Sequence, residues 1–281
     1  MQMYELPVSP FAPVAGSRSA DVTGVRAGRA FEGTDWVAEE VPVALEYNGV
    51  SHAVMLASPA DLEDFALGFT LTEGIVDDVS QILDIELTAD ARGQTLHVRI
   101  TAACFARLKD KRRSLAGRTG CGLCGADSLA HAIHPPPPVL GTRCFAASAV
   151  ARALAGLRDK QLLRDVTGAT HAAAWCSAAG EIVLLREDLG RHNALDKLIG
   201  ALQRGRIDAG TGFIVVTSRA SYEMVHKTAV AGVALLAAVS GVTSLAIDVA
   251  QAAGVALLGF ARGEDVSVYS HAERVQLHPV A

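Results

Sequence analysis

The stretch GFIVVTSRASYEMVHKTAVAGVALLAAVSGVTSLAIDVAQAAGVALLGF, Gly212 to Phe260, decides the fold. GFIVVT is a short apolar run, and SYEMVHKTAVAG has helical spacing. VALLAAV is apolar again, SLAIDVAQAAG is helical, and VALLGF returns to the first type. Strands that are apolar on both faces, alternating with helices, predict βαβ units around a parallel central sheet covered by helices. Inside this stretch Ala229 to Ile247 carries no charged residue and is long enough to raise the question of a membrane span. Gly232, Ser240-Gly241 and Thr243-Ser244 interrupt it. That punctuation predicts a helix ending near Gly232, a buried strand through Val239, a turn and a new helix.

Outward from this core, HAAAWCS (171–177) and EIVLLR (181–186) read as paired strands. FAASAVARALAGL (145–157) and ALDKLIGALQ (194–203) read as helices, and VSVYS (266–270) as a last strand. Residues 141–281 are thus expected to form one α/β unit. Toward the N-terminus, WVAEEVPVALEYNGVSHAVML (36–56) reads as two strands about the turn dipeptide Asn48-Gly49. Ser58-Pro59 followed by Leu62, Phe65, Ala66 and Phe69 predicts an amphipathic helix with a serine cap. With strands at 82–88 and 95–101, residues 26–109 are expected to form an α+β domain, preceded by a loose Pro/Ala/Ser/Gly lead-in over 1–25. Residues 110–140 differ in kind: they run from the charged KDKRRSLAGR through a Gly/Cys arm to four prolines at 135–138, and read as an exposed connector.

The chain has 281 residues, half of them apolar and a fifth charged, which is core material enough for one large or two ordinary domains. A formal net charge of −5 argues against a general nucleic-acid binder. The N-terminus lacks the basic and apolar regions of a signal peptide. Five cysteines, with Cys104, Cys144 and Cys176 isolated, suggest reduced thiols in a cytoplasm and not a secreted disulfide scaffold.

The remaining pair lies in TGCGLCGADS, Thr119 to Ser128. Gly120, Gly122 and Gly125 match a dinucleotide fingerprint. Arg112, Arg113, Ser114 and Arg118 stand where that motif needs a buried strand, however. Zinc on Cys121, Cys124, His131 and His134 suffers from too short a gap and no second cysteine pair. His271-Ala272-Glu273 echoes a zinc-deaminase motif in the wrong order. A thioredoxin-like couple needs a helix start that glycines on both sides disfavour. A mobile thiol arm fits best: the glycines supply freedom, while Lys109, Lys111, Arg112, Arg113 and Arg118 favour a thiolate at Cys121.

Behind that arm come, in order, THAAAWC, REDLGRHNALDKLIG, SRASYEMVHK and LLGFARGEDVSVYSHAERV. Together they resemble the formate dehydrogenase accessory sulfurtransferase family, FdhD, from about residue 36 to the C-terminus. The resemblance implies a C-terminal domain of cytidine-deaminase-like, three-layer α/β type without zinc. It implies a cytoplasmic sulfur carrier that takes persulfide sulfur from a cysteine desulfurase. The sulfur would pass to the molybdenum or tungsten bis(molybdopterin guanine dinucleotide) cofactor before insertion into formate dehydrogenase, with guanine nucleotides as mimics of that cofactor. It also implies a homodimer, with no membrane or nucleic-acid partner. Cys121 is the expected persulfide carrier and Cys124 a supporting thiol. The resemblance places the cofactor at Phe260, Ala261, Arg262, Gly263, Glu264 and Asp265, a segment that otherwise reads as a hairpin turn. Arg191, His192 and Asn193, at a helix start, and Ser218-Arg219, after a strand, are candidates for its phosphates; His171 and Lys227 are further ones. Asp188, Arg191 and Asp196 read equally as a structural ion-pair network. A cofactor-binding chaperone without sulfur chemistry, or a zinc-binding module, are the competing classes.

Overall fold

Alternation within the apolar runs sorts their side chains to opposite faces, and a computed structural model, describing residues 4–5, 13–116, 135–141 and 143–277, displays that sorting. The C-terminal sheet contains β9 (His171–Ser177), β10 (Ile182–Asp188), β11 (Gly212–Val216), β12 (Leu235–Ala238), β13 (Ala256–Arg262) and β14 (Asp265–Ser270), in the order β10-β9-β11-β12-β13-β14. Trp175, Ile214, Val216, Leu236 and Leu257 face one core, whereas Cys176, Phe213, Val215, Leu235 and Leu258 face another. The first core is closed by α5 (Arg191–Arg204), α6 (Tyr222–Val230) and α7 (Ser244–Ala253), and the second by α3 (Ala147–Leu157). The unit is therefore a three-layered α/β sandwich. Its sheet is mixed, which corrects the expectation of a parallel one. Only β11, β12 and β13 run parallel; β9 lies antiparallel beside β11, and β10 and β14 join β9 and β13 as hairpin partners. The uncharged stretch resolves into the end of α6, β12 and the start of α7. No helix among the described residues is long and apolar enough to cross a membrane.

The N-terminal sheet has the order β5-β4-β7-β6, from β4 (Val41–Tyr47), β5 (Val50–Ala57), β6 (Ile82–Asp90) and β7 (Gly93–Ile100). Asn48 and Gly49 both take positive φ at the β4–β5 turn, as a two-residue hairpin requires. α1 (Leu62–Thr72) buries Leu62, Phe65, Ala66 and Phe69 on the sheet. Its expected cap is wrong: Asp61 is the N-cap, and Ser58 is drawn away into a buried contact described below. Part of the expected loose lead-in is strand: β2 (Ser17–Arg26) and β3 (Arg29–Ala38) pair along their whole length. β3 also pairs with β1 (Tyr4–Glu5). The expected connector also begins later than 110, because α2 (Ala102–Ala116) runs across that boundary, anchored by Cys104, Phe105 and Leu108 on one face. The short strands β8 (Phe145–Ala146) and β15 (Val275–Gln276) pair beside the second core, and α4 (Leu162–Thr167) leads into β9.

The two sheets meet through α1 and α5, which cross at two glycines. A Cβ on Gly68 would overlap the carbonyl oxygen of Asp196, and one on Gly200 that of Asp64. Such backbone-to-backbone approach is open only to glycine. Around the crossing lie buried ion pairs. Asp64, fully buried, binds Arg186 (2.7 Å) and Arg204. Lys197 binds Asp188 (2.7 Å), both fully buried, and also the hydroxyl and carbonyl of Ser58.

Candidate functional site

Three parallel strands point their C-terminal ends at one edge of the sheet, and the helices that follow begin there. That edge is where open α/β sheets bind ligands, because unpaired N–H groups and the positive ends of helix dipoles gather at it. Backbone hydrogen bonds knit it into a ledge. Thr217 donates to Ala172, Val239 to Val216, Ala220 to Gly241 and Phe260 to Ser240. His171, at the start of the antiparallel β9, falls in register with Asp188 and so joins the same edge.

α5 starts at Gly190 and α6 at Ser221, both without a side-chain cap. Their first-turn N–H groups therefore stay available, whereas α7 is capped by Thr243, whose hydroxyl accepts from Ala246. The Nε of Arg191 and the hydroxyl of Ser221 are buried yet have no hydrogen-bond partner among the described residues. Buried polar atoms of this kind are costly unless something completes them. His192 Nε2 lies 2.9 Å from Glu223 Oε2, joining the two helix starts, and holds the Glu223 carboxyl below its ordinary range. Burial lowers the His171 imidazole below its usual value. The guanidinium groups of Arg191 and Arg164 lower it further, since a second positive charge beside them is disfavoured.

Phe260 stands at the other end with φ 51, a left-handed conformation that strains a side chain of this size, and its ring is half exposed. The register shift in β13 after Gly259 produces this turn-out, and the ring lies against Gly241. Arg262 donates from Nε to the Val239 carbonyl (3.0 Å). Gly263 and Glu264 form the two-residue tip of the β13–β14 hairpin, closed by Arg262 and Asp265. Ala261 points into the protein, 1% exposed, so it cannot present its side chain to a ligand.

The structure thus gathers His171, Arg191, His192, Arg219, Phe260 and Arg262 along one edge, with Ser218 beside them but buried and donating to the Arg219 carbonyl, and it divides the rest of the expected set. Asn193 is buried, and its amide donates to the Leu56 carbonyl and to Asp188. Lys227 is 4% exposed and bridges Asp196, Thr72 and Glu73. Both spend their side chains on buried contacts that tie the two units together. Burial pulls the Lys227 ammonium down, but Asp196 and Glu73 outweigh it and hold it above its ordinary value. Asp188 accepts from Ser58, Gly190 and Asn193, so with Asp196 it belongs to the ion-pair network. Glu187 accepts from the N–H groups of Leu163 and Arg164 and caps α4. Sequence reasoning missed Ser221 and Arg164. A serine just ahead of an amphipathic helix was the available signal for the first, and nothing local signals the second.

Cys121, Cys124, His131 and His134 lie outside the described residues. Of the other thiols, burial pushes Cys176 up to about 12, so it stays protonated. Cys104 is also buried, and Cys144 donates to the Glu273 carbonyl. Both ring nitrogens of His271 are engaged, by Glu273 and by the Gln251 carbonyl. Among the described residues no three His, Cys, Asp or Glu side chains cluster as metal ligands.

Comparison with known proteins places this geometry. The model of the FdhD/NarQ family matches residues 38–276. A sulfur carrier protein FdhD from Variovorax paradoxus (strain S110) is 54% identical over 275 residues, covering 98% of each chain. One from Bordetella petrii is 56% identical over 88% of each chain. Among solved structures, a protein from Desulfotalea psychrophila provisionally described as a formate dehydrogenase accessory protein superposes with a TM-score of 0.71. It covers 92% of this chain and 99% of its own at 23% identity, which is a likeness of fold.

Proposed function

The chain belongs to the FdhD/NarQ family, and on that footing we propose that it is a sulfur carrier serving the maturation of formate dehydrogenase. Cys121 is the acceptor. Its thiolate attacks the outer sulfur of a persulfide on a cysteine desulfurase; the donor's S–S bond breaks and its cysteine leaves as thiolate. A new S–S bond then holds the sulfur on Cys121. The cationic run ahead of it raises the thiolate fraction. Cys124 supports the second half: its thiol closes a disulfide onto Cys121, and the outer sulfur departs as hydrogen sulfide, taking the proton of each sulfhydryl. The two electrons that reduce that sulfur come from the thiol pair, which an external thiol then resets.

The substrate that receives the sulfur is the molybdenum or tungsten bis(molybdopterin guanine dinucleotide). The ledge suits its chemistry. Arg191, Ser221 and the uncapped starts of α5 and α6 offer donors to phosphate oxygens, and the exposed Phe260 ring offers a face to guanine. The observation that carries the reading is the buried Arg191 Nε, left without a partner among the described residues beside those two helix starts.

The test is peptide mass spectrometry after incubation with a cysteine desulfurase and cysteine, on wild type, Cys121→Ala and Cys124→Ala. The expected result is one reductant-labile sulfur on the Cys121 peptide, absent from Cys121→Ala. No added sulfur on any cysteine, with the desulfurase active, leaves a cofactor-binding chaperone in its place.

A further inference from the structure

His171 stands at the strand-end edge between two fixed neighbours. The Thr170 hydroxyl donates to Glu187 Oε1 (2.8 Å). Ala172 is bound to Thr217 twice, its N–H donating to the hydroxyl (2.9 Å) and its carbonyl accepting from the Thr217 N–H. The imidazole between them is half-buried and has no hydrogen-bond partner among the described residues.

The charges around it are of one sign. Arg191 acts on it from the start of α5 and Arg164 from α4, where Gln161 Oε1 holds the guanidinium (3.2 Å). The carboxylates beside it in the sheet are Glu187 and Asp188, the latter directly in register with His171. Both are already engaged. Glu187 accepts from the N–H groups of Leu163 and Arg164 and from Thr170. Asp188 accepts from Ser58, Gly190 and Asn193 and pairs with Lys197. Glu223 of α6 is taken by His192 of α5 (2.9 Å). His171 thus sits beside two guanidinium groups without a carboxylate of its own. Burial, and then those two cations, hold the imidazole below its ordinary value, so it is neutral at neutral pH.

Phosphates seated beside those cations would reverse the balance. Negative charge next to an imidazole favours its protonated form, and the second N–H then becomes a charged donor to phosphate oxygens. We propose that His171 is a proton-coupled member of the phosphate seat, taking one proton from solvent as the cofactor's pyrophosphate settles beside Arg164 and Arg191 and returning it when the cofactor leaves. The inference rests on the reading that the ledge binds the cofactor. Occupancy raises an imidazole that the empty site holds low, so affinity is greatest in acid and falls as pH rises through the occupied value.

The experiment is calorimetry with GDP-mannose, whose two phosphates are both diesters and do not titrate near neutrality, on wild type and His171→Gln between about pH 6 and pH 8. Wild type is expected to bind about tenfold more tightly at the acid end, the change that one pKa unit on the imidazole produces. It is also expected to take up protons, read as a dependence of the binding heat on the ionisation heat of the buffer. His171→Gln is expected to keep the alkaline affinity of wild type throughout and to take up none; His171→Asn serves where glutamine fails to fold. A pH slope or proton uptake that survives in the variant puts the proton on another group, such as His192, and overturns the inference. A flat wild-type affinity without proton uptake overturns it too, and leaves the cofactor ledge standing. No binding by wild type at any pH removes the cofactor reading, and the inference falls with it.

Discussion

At the scale of single residues, the ledge depends on one strained position. Phe260 holds a left-handed backbone, which costs about 1–3 kcal/mol in a residue of this kind, and still exposes half its ring. Strain of that kind persists where the turned-out side chain has a use. Replacing it with glycine separates the two effects, since glycine adopts this φ freely and has no ring. Phe260→Gly is expected to melt within a few degrees of wild type, because relief of strain and the added freedom of the unfolded chain oppose each other. Its affinity for guanosine diphosphate, measured by calorimetry, is expected to fall about tenfold, within the range for loss of one aromatic stack. An unchanged affinity would remove the ring from the site. The sequence flagged Phe260 through family likeness alone; nothing in GFARGED announces a positive φ, because the bulge that creates it depends on pairing with β14.

At the scale of elements, the apolar runs of the C-terminal half were legible because period-two sorting and helical spacing are local properties. Strand direction was not, since the apolar middle of β9, AAAWC, reads like the parallel strands beside it and its direction depends on how the chain connects. Ser58 makes the same point from the other side. Ser-Pro ahead of an amphipathic run is a local helix-start signal, but Asp188 and Lys197, distant in sequence, claim the serine. The charged run after Lys109 read as connector because its apolar anchors, Cys104, Phe105 and Leu108, lie before it. The crossing of α1 and α5 was equally invisible, since Gly68 and Gly200 sit inside helices where glycine is otherwise a liability. There the contact is with backbone, which cannot rotate aside. Gly68→Ala and Gly200→Ala are each expected to destabilise by about 2–3 kcal/mol through forced separation of the helices, despite alanine's better helix propensity. Urea denaturation measures this, and a stabilised variant would contradict the close crossing.

At the scale of the whole molecule, EDLGRHNALDK serves two ends at once: Arg191 and His192 face the ledge, while Asp188 and Lys197 hold Ser58 and Asp196 holds Thr72 at the end of α1. The ledge's helix α5 is therefore held in place by charges it shares with α1. Asp196 is the sharpest case. Burial raises its carboxyl above the ordinary range, and Lys227 and Thr72 are what oppose that rise. Removing the lysine leaves a buried carboxylate without its cation, which typically costs about 3–5 kcal/mol. In Lys227→Met the Asp196 pKa in the folded state rises further, so the native protein binds a proton that the unfolded chain has already released above about pH 4. Stability then falls as pH rises from that point until the folded pKa is passed. Lys227→Met is thus expected to be more stable at pH 5 than at pH 8. Lys227→Met/Asp196→Asn is expected to regain part of the loss at pH 8 and to lack that pH slope. Guanidinium denaturation of the two variants across this range is the measurement, and a parallel slope in both would place the pH dependence elsewhere than at Asp196.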